Sequence, residues 1–359
     1  MSRSKSFRIA ICAALYALAN GAAPIASAAP TYSVTDLGTF GIDNVGVSGI
    51  DNSGRVVGWG NISTVASSGF LHDGAMQILG TLGGNSSRAT GINELQMVVG
   101  FSTISGNTIS RAFLYSNGSM SDLGTLGGAS SYAFGINNGA QIVGGAAIAG
   151  NGAIHPFLYN NGSMFDLGTL GGTGGFAYGI NNSGDIVGST AIAGDVIEHA
   201  FLYRNGTMTD LGSFGGELSR ATDINDSGQA VGFSYTAGNA TVHAFIYDSR
   251  GMVDIGTLGG NQSFAYSVNN FGQIVGNSNG RGFIYDDGVM HDLNDLIDPS
   301  AGWTLQEAGA INDAGQIAVV GVINGRQHVL LLNPIPEPAT LALIALGLAG
   351  IGVSRRKLA

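Results

Sequence analysis

One segment recurs along this chain and contains a position that is mostly glycine. Three residues before that glycine, two copies of the segment have an arginine and three have an aromatic residue. In chain order the position holds Gly46, Arg88, Tyr132, Phe176, Arg220, Phe264 and Glu307. A guanidinium group binds acidic groups, and an aromatic face can stack on a sugar or a cation. We therefore predict that a ligand binds here, and the residues expected to contact it are Arg88, Tyr132, Phe176, Arg220 and Phe264. The alternative is that these side chains only pack between neighbouring repeats.

Aspartate and histidine also recur, and this argues against catalysis because an active site needs one set of groups rather than six. The aspartate of a DLG-like segment is found at Asp36, Asp122, Asp166, Asp210, Asp254 and Asp292. Its expected role is to accept backbone hydrogen bonds at the end of a strand. A structural role rather than metal binding is also expected for the histidines that precede an AF-like pair, which are His155, His199, His243 and His328.

Metal and enzyme motifs are not recognisable. Residues 223–228 begin like a calcium loop, but the glutamate required at the twelfth position is replaced by Ser234. No GxSxG elbow, phosphate-binding loop or zinc signature occurs. The sequence therefore predicts no catalytic residue, no metal site, no cofactor and no enzymatic activity. The alternative is a secreted hydrolase of neutral polysaccharide, whose acids would come from the non-repeating glutamates Glu94, Glu198, Glu217 and Glu307.

The elements that must position these residues are short strands in a repeat of about 44 residues. Each repeat contains a GIN-like, an IVG-like, an AFLY-like and a DLG-like segment, and each segment occurs seven times. Asparagine and glycine between these segments predict tight turns with positive φ. The 60 glycines and the 11% of charged residues fit many short strands better than helices. We predict an all-β, seven-bladed propeller with four antiparallel strands in each blade, because four strands per 44 residues is the size of a propeller blade.

The order of segments at the two ends of the repeat region predicts how the ring closes. The region opens with TYSVTDLG, which is a fourth strand without the first three. It closes with a first, second and third strand that have no fourth. The N-terminal strand is therefore expected to complete the last blade, because closure removes exposed sheet edges.

The repeats resemble the HAF family of probable extracellular repeats. The resemblance lies in the segments around His199-Ala200-Phe201 and His243-Ala244-Phe245, and in the DLGTLGG segments. It covers nearly all of residues 31–334 and implies export and repetition, without a settled biochemical activity.

The first 28 residues have the pattern of a secretory signal peptide. A basic front is followed by an apolar stretch from Ile9 to about Ala19, and then by an A-x-A site at Ala26 and Ala28. The predicted partner is signal peptidase. The chain's one cysteine, Cys12, lies in this segment, so a disulfide in the remainder is excluded.

Residues 335–359 combine a Pro-Glu-Pro motif, an apolar run and a basic terminus. The motif is Pro336, Glu337 and Pro338, the uncharged run covers 339–353, and the basic residues are Arg355, Arg356 and Lys357. The run is long enough for a marginal transmembrane helix, with its end held in the cytoplasm by the basic cluster. This tail resembles the PEP-CTERM sorting signal of Gram-negative bacteria. The resemblance implies a transient anchor in the inner membrane, cleavage by an exosortase, and delivery to the cell surface or matrix.

Charge limits the partners of the predicted propeller, residues 29–334. This region holds eight arginines, no lysine and 23 acidic residues, a formal charge of −15. Such a surface repels nucleic acid and anionic lipid. Contact with the membrane is expected only through the C-terminal helix before processing. The predicted function is therefore non-enzymatic binding or structure in the envelope, with exopolysaccharide, the biofilm matrix or another envelope component as partner.

Overall fold

The computed structural model describes residues 32–39, 44–63, 66–150 and 152–336. Within these residues the chain forms 28 β-strands and three short 3₁₀ helices, which are Ala237–Asn239, Leu293–Asp295 and Pro299–Ala301. The prediction of an all-β protein is therefore confirmed. The predicted signal peptide and residues 337–359 of the predicted sorting signal lie outside the described residues.

The strands form seven antiparallel units of four, which we number in chain order. Unit 1 contains β2 (Val45–Ile50), β3 (Val56–Ser63), β4 (Ala66–His72) and β5 (Met76–Ile78). Unit 2 contains β6 (Gly83–Ile92), β7 (Val98–Ile104), β8 (Ser110–Ser116) and β9 (Ser119–Asp122). Unit 3 contains β10 (Gly127–Ile136), β11 (Ile142–Ile148), β12 (Ile154–Asn160) and β13 (Ser163–Asp166). Unit 4 contains β14 (Gly171–Ile180), β15 (Ile186–Ile192), β16 (Glu198–Arg204) and β17 (Thr207–Gly212).

Units 5 and 6 repeat the same order. Unit 5 contains β18 (Gly215–Ile224), β19 (Ala230–Thr236), β20 (Val242–Asp248) and β21 (Gly251–Asp254). Unit 6 contains β22 (Phe264–Val268), β23 (Ile274–Ser278), β24 (Arg281–Asp286) and β25 (Val289–Asp292). Units 4 and 5 join into one eight-stranded sheet, because Glu198 pairs with Leu218 in a parallel bridge. The other five units are separate four-stranded sheets.

Unit 7 is built from distant parts of the chain. It contains β26 (Thr304–Ile311), β27 (Ile317–Ile323), β28 (Arg326–Pro334) and β1 (Tyr32–Gly38). Strand β1 runs antiparallel to β28, with Tyr32 opposite Pro334. The pairing of the N-terminal strand with the last strand, which the order of segments predicts, is therefore present.

Turns between the third and fourth strands differ from turns between the first and second. Asn117 and Gly118 have φ angles of 52° and 79°, and two positive values are typical of a type I′ hairpin. In the turn 181–184 that joins β14 to β15, only Gly184 has a positive φ, 84°. The prediction that asparagine supplies positive φ in this second kind of turn is wrong. The Asn181 side chain instead accepts backbone N–H bonds from Ser183 and Asp185, at 3.0 and 2.9 Å.

A phenylalanine from the third strand fills the core of units 1 to 6. These side chains are fully buried, and they are Phe70, Phe113, Phe157, Phe201, Phe245 and Phe283. The glycine opposite provides the space, since a Cβ added at Gly100 would lie 1.9 Å from the Arg88 carbonyl oxygen and 2.9 Å from the Phe113 ring. In unit 7 Leu330 takes the place of the phenylalanine, and Val319 takes the place of the glycine opposite it. The smaller core residue is thus matched by a larger neighbour.

A buried asparagine after the first strand links each of units 2 to 7 to the unit that follows it. Asn269 accepts backbone N–H bonds from Phe271 and Gln273 within its own turn. Its Nδ2 donates to the carbonyl oxygen of Asn312 in the next unit, at 3.1 Å. Equivalent bonds begin at Asn93, Asn137, Asn181, Asn225 and Asn312. Successive units are therefore joined by buried polar contacts as well as by apolar packing.

The junction between units 1 and 2 uses different residues for the same purpose. Asp51 occupies the asparagine position, and a carboxylate has no N–H to donate. Arg55 forms an ion pair with Asp51, and its Nη2 donates to the carbonyl oxygen of Glu94 at 3.2 Å. A guanidinium group thus replaces the amide as the donor between units.

Candidate functional site

A β-bulge in the first strand of each unit adds one unpaired residue. In unit 2, Ala89 pairs with Gly100 and Gly91 pairs with Val99. Thr90, which lies between them, therefore has no residue opposite it on β7. The equivalent residues are Ser48, Phe134, Tyr178, Thr222, Tyr266 and Gly309. All seven line a single cavity of about 220 Å³, which we call the axial cavity. The bulges thus direct one residue from each unit to a common centre.

A second cavity lies beyond the first, toward the turns that join first and second strands. It has a volume of about 330 Å³, and we call it the turn-end cavity. The two cavities share an aliphatic collar of Ile50, Ile92, Ile136, Ile180, Val268 and Ile311. Beyond the collar the lining is polar and includes Asn52, Glu94, Asn138, Asn182, Asp226, Asn270 and Asp313. The two cavities therefore differ in chemistry and are separated by β-branched side chains.

Among the described residues that line the axial cavity, Asp223 is the only one with a carboxylate. It stands where units 2, 3 and 4 have glycine, and it accepts backbone N–H bonds from Ile224 at 2.8 Å and from Val268 at 3.0 Å. Burial raises the pKa of Asp223 to about 6, and these hydrogen bonds offset only part of that effect. Among the described residues, no basic side chain forms an ion pair with it. The axial cavity therefore carries a poorly solvated acidic group.

The bulge residues lie between Arg88 and the turn-end cavity. We call the region of Arg88 the loop end and define it by the position of Arg88, Tyr132, Phe176, Arg220 and Phe264. The Arg88 guanidinium carbon is 3.9 Å from the ring centroid of Trp59 in the preceding unit, and Arg88 is exposed. This geometry is a cation–π contact. It fixes a cationic plane against an aromatic face while leaving Arg88 accessible.

Arg220 is held between two units by both charge and aromatic contacts. Its guanidinium carbon lies 5.0 Å from the ring centroid of Tyr178 and 5.7 Å from that of Phe233. Its Nη2 is 3.4 Å from Glu198 Oε1, and Ser189 donates a hydrogen bond to the same oxygen. Arg220 Nε is buried without a hydrogen-bond partner. The guanidinium group is therefore positioned but not fully satisfied.

The three aromatic residues of the predicted site pack on rings of neighbouring units. Tyr132 contacts Phe101 edge-on with centroids 5.3 Å apart, and Phe264 contacts Phe233 at 5.0 Å. Phe176 contacts Phe134 at 5.9 Å. The packing between repeats that was the alternative for this position is therefore present for these three rings.

Glu307 and Gly46 complete the loop-end position. Burial raises the pKa of the Glu307 carboxyl. Burial also raises the pKa of the Tyr266 hydroxyl, and the negative charge of Glu307 adds to that effect. The two side chains therefore lie close enough to interact electrostatically. Gly46 has no side chain, and a Cβ there would meet the Trp59 ring at 2.4 Å.

Four of the six repeated aspartates pair with the repeated histidines at strand ends, whereas Asp122 and Asp292 pair with Arg111 and Arg281. Each DLG-like aspartate accepts the backbone N–H two residues on, as predicted, for example from Gly168 to Asp166 at 2.8 Å. His155 Nδ1 lies 2.8 Å from Asp166 Oδ2, and equivalent pairs are His199–Asp210, His243–Asp254 and His328–Asp36. Within the described ranges no group of three or more His, Cys, Asp or Glu could hold a metal ion.

The sequence pattern points to the loop-end position but not to the bulge residues, which line the axial cavity. The available signal was a variable residue between two small ones, as at Thr90 between Ala89 and Gly91. Trp59 and Glu198 were also missed as partners of the two arginines. They lie on other strands, and the sequence alone does not show which residues meet across a junction between units.

Comparisons with known proteins give limited further information. No curated protein matches this chain. Among solved structures, an arginine-to-alanine triple mutant of AofleA from Arthrobotrys oligospora has a TM-score of 0.41 and 11% sequence identity, covering 73% of this chain and 89% of that chain. In the part of the chain that the structure describes, no helix is long and apolar enough to cross a membrane.

The C-terminal segment is recognised directly. Residues 334–357 match the PEP-CTERM protein-sorting motif. The match does not extend into the repeats, whose resemblance to the HAF family remains a prediction. The chain thus carries the sorting signal of an exported protein, which is anchored in the membrane before an exosortase processes it.

Proposed function

We propose that this protein is an exported seven-bladed β-propeller that binds polysaccharide at the cell surface or in the extracellular matrix, without catalysis. The PEP-CTERM motif supports export and processing. The loop end supports binding, and the contacts between units support the ring.

Hydrogen bonds at the turn end support a closed ring of seven blades. The bonds are formed by the residue that directly follows the linking asparagine, or Asp51 in unit 1. In each unit the backbone N–H of this residue donates to the side chain of its equivalent in the next unit. The donors are Asn52, Glu94, Asn138, Asn182, Asp226, Asn270 and Asp313, and the distances are 2.9 to 3.1 Å. The last bond runs from Asp313 in unit 7 to Asn52 in unit 1. A series that returns to its starting unit is what a closed propeller requires.

The observation that carries the binding proposal is the exposed Arg88 guanidinium on the Trp59 ring. A planar donor beside an aromatic face can hydrogen-bond hydroxyl or acidic groups of a sugar while the ring contacts its apolar face. Arg220 with Glu198 offers a second polar pair at the same end. Because the region has a formal charge of −15, neutral glycans or glycans with few acidic groups are favoured over polyanions.

A glycan array on the exported, processed protein tests this proposal. We expect retention of at least one polysaccharide class, and we expect both Arg88→Ala and Arg220→Ala to weaken it. Arg250→Ala is the matched control, because Arg250 pairs with Asp248 in an exposed turn between β20 and β21. Equal retention by all four proteins would exclude the loop end as the binding surface.

Following the tagged full-length protein in cells with and without an exosortase tests the sorting proposal. Cleavage near the Pro-Glu-Pro motif and surface delivery are expected only when the exosortase is present. Retention of the uncleaved tail in both strains would contradict exosortase processing.

A secreted hydrolase is the second candidate, and one observation favours it. Burial raises the pKa of Glu307, and a raised carboxyl pKa is a property of general acids in glycosidases. If any retained glycan is cleaved, and Glu307→Gln abolishes cleavage while leaving retention intact, the non-enzymatic proposal fails.

A further inference from the structure

We propose that the axial cavity is a binding site for a small organic ammonium group, held by the Asp223 carboxylate and by the ring of Tyr266. The proposal is independent of polysaccharide binding, because the site uses the bulge residues and the position after them rather than the loop-end position.

The first argument is the uncompensated carboxylate. Asp223 receives two backbone N–H bonds and a hydrogen bond from the Ser267 hydroxyl, and none of the three brings a positive charge. No arginine forms an ion pair with it among the described residues, and the region contains no lysine. Asp223 is half-buried, and carboxylates that are withdrawn from water in proteins are normally paired with a cation or a metal. The raised pKa of Asp223, about 6, reflects the same lack of solvation. A bound cation would provide the missing partner.

The second argument is the aromatic lining. Phe134, Tyr178 and Tyr266 face the same cavity as Asp223, and aromatic faces attract cations most strongly where water is excluded. The Arg220 guanidinium carbon already lies 5.0 Å from the centroid of the Tyr178 ring, so the Tyr266 ring is the one left for a bound cation. Aromatic rings together with a carboxylate form the chemistry that recognises alkylammonium groups.

Two threonine hydroxyl groups in the lining of the cavity already donate hydrogen bonds to backbone carbonyl groups. Thr90 Oγ1 lies 2.9 Å from the Ala133 carbonyl oxygen, and Thr222 Oγ1 lies 2.9 Å from that of Ala265. Because each hydroxyl donates its single proton to a carbonyl, neither can donate to an anion in the cavity. An anion would therefore meet the Asp223 carboxylate and would receive no hydrogen bond from these two hydroxyls. An ammonium group, which only donates, fits the same lining.

A matched pair of probes tests the proposal. tert-Butylammonium chloride and tert-butanol have the same shape and differ in charge, and both can be titrated into the processed protein with binding followed by NMR. We expect tert-butylammonium to bind at least about tenfold more tightly than tert-butanol. Asp223→Asn should remove this preference. Tyr266→Leu, which keeps the carboxylate, should weaken ammonium binding without reversing the preference.

Two control variants separate this site from others. Asp226→Asn removes a carboxylate from the turn-end cavity, and Arg88→Ala alters the loop end. Both should retain the preference for tert-butylammonium. Loss of glycan binding in Arg88→Ala with ammonium binding intact would show that the two sites are independent.

Three results would overturn the proposal: equal binding of the two probes, an unchanged preference in Asp223→Asn, or displacement of tert-butylammonium by an equal concentration of potassium chloride. The last result would indicate a metal-ion site instead. Circular dichroism checks that each variant is folded. If Asp223→Asn does not fold, the Tyr266→Leu titration decides, because unchanged affinity there would exclude the aromatic site.

Discussion

His328 Nδ1 lies 3.0 Å from both carboxylate oxygens of Asp36, and this contact joins residues that are 292 positions apart. The same kind of contact joins the third and fourth strands inside other units, as in His155 with Asp166. Because Asp36 lies in β1 and His328 in β28, the N-terminal strand takes the place of a fourth strand in unit 7. The unit is therefore assembled from both ends of the repeat region.

Deletion of residues 31–40 should lower the melting temperature by about 10 °C or more. The deletion removes all of β1, leaves the edge of β28 unpaired and eliminates Tyr32, which is only 2% exposed. Differential scanning calorimetry of the processed protein measures the effect.

Two point variants provide the control for this deletion. Asp36→Ala and Asp166→Ala each remove one exposed histidine–aspartate contact, and such contacts contribute about 0–1 kcal/mol. Both should change the melting temperature slightly and by similar amounts. If the deletion has no larger effect than Asp36→Ala, β1 is not needed to complete unit 7.

The repeat and its strands could be predicted because their signals are local. Asn117-Gly118 specifies its own turn, and the alternation of apolar residues specifies each strand. The bulge at Thr90 could not be predicted in this way, because one extra residue leaves the flanking pattern intact while changing which side chain reaches the axial cavity. The hydrogen bond from Asn269 to Asn312 could not be predicted from the sequence either. It depends on how two units meet, and its donor and acceptor are 43 residues apart.

Asn269→Asp should destabilise the protein by about 1–3 kcal/mol. The change removes the Nδ2 donor to Asn312 and places a carboxylate beside a buried carbonyl oxygen, since Asn269 is only 3% exposed. Chemical denaturation measures the loss.

Unit 1 suggests how to restore this stability. There Asp51 is paired with Arg55, four residues on, and the arginine donates to the next unit. Adding Gln273→Arg to Asn269→Asp reproduces that arrangement and should recover part of the loss. The single variant Gln273→Arg is the control. A double variant no more stable than Asn269→Asp would show that the guanidinium does not replace the amide.

Ala140→Gly should stabilise the protein by up to about 1 kcal/mol. Ala140 has a φ of 57° in the turn between β10 and β11, where the equivalent residue of unit 4 is Gly184. A side chain at positive φ is strained, and this outweighs the greater entropy that glycine adds to the unfolded chain. Gly184→Ala should destabilise by a similar amount. Stabilisation by both substitutions, or by neither, would contradict this explanation.

Asp223→Asn should cost one hydrogen bond at every pH, because Oδ1 and Oδ2 of Asp223 each accept a backbone N–H and asparagine has only one side-chain oxygen. Relative to this constant loss, the variant should gain stability as the pH rises from 4 to 7. In the folded protein burial raises the pKa of Asp223 to about 6, whereas an unfolded aspartate has a pKa of about 4. Between these values the folded state binds more protons than the unfolded state, so the contribution of Asp223 to stability falls as the pH rises. Above pH 6 the full cost is present, up to about 3 kcal/mol for a shift of about two pKa units.

Asparagine carries no charge at any pH in this range, so the variant should lose that part of the pH dependence. The measurement is urea denaturation of both proteins at intervals from pH 4 to pH 7.5, without added ammonium compounds, because a ligand that binds the carboxylate would oppose the effect. The unfolding free energy of the variant minus that of the unmodified protein should increase with pH and level off above pH 6. A constant difference would show that Asp223 titrates alike in both states, and the carboxylate would then be solvated rather than buried in the axial cavity.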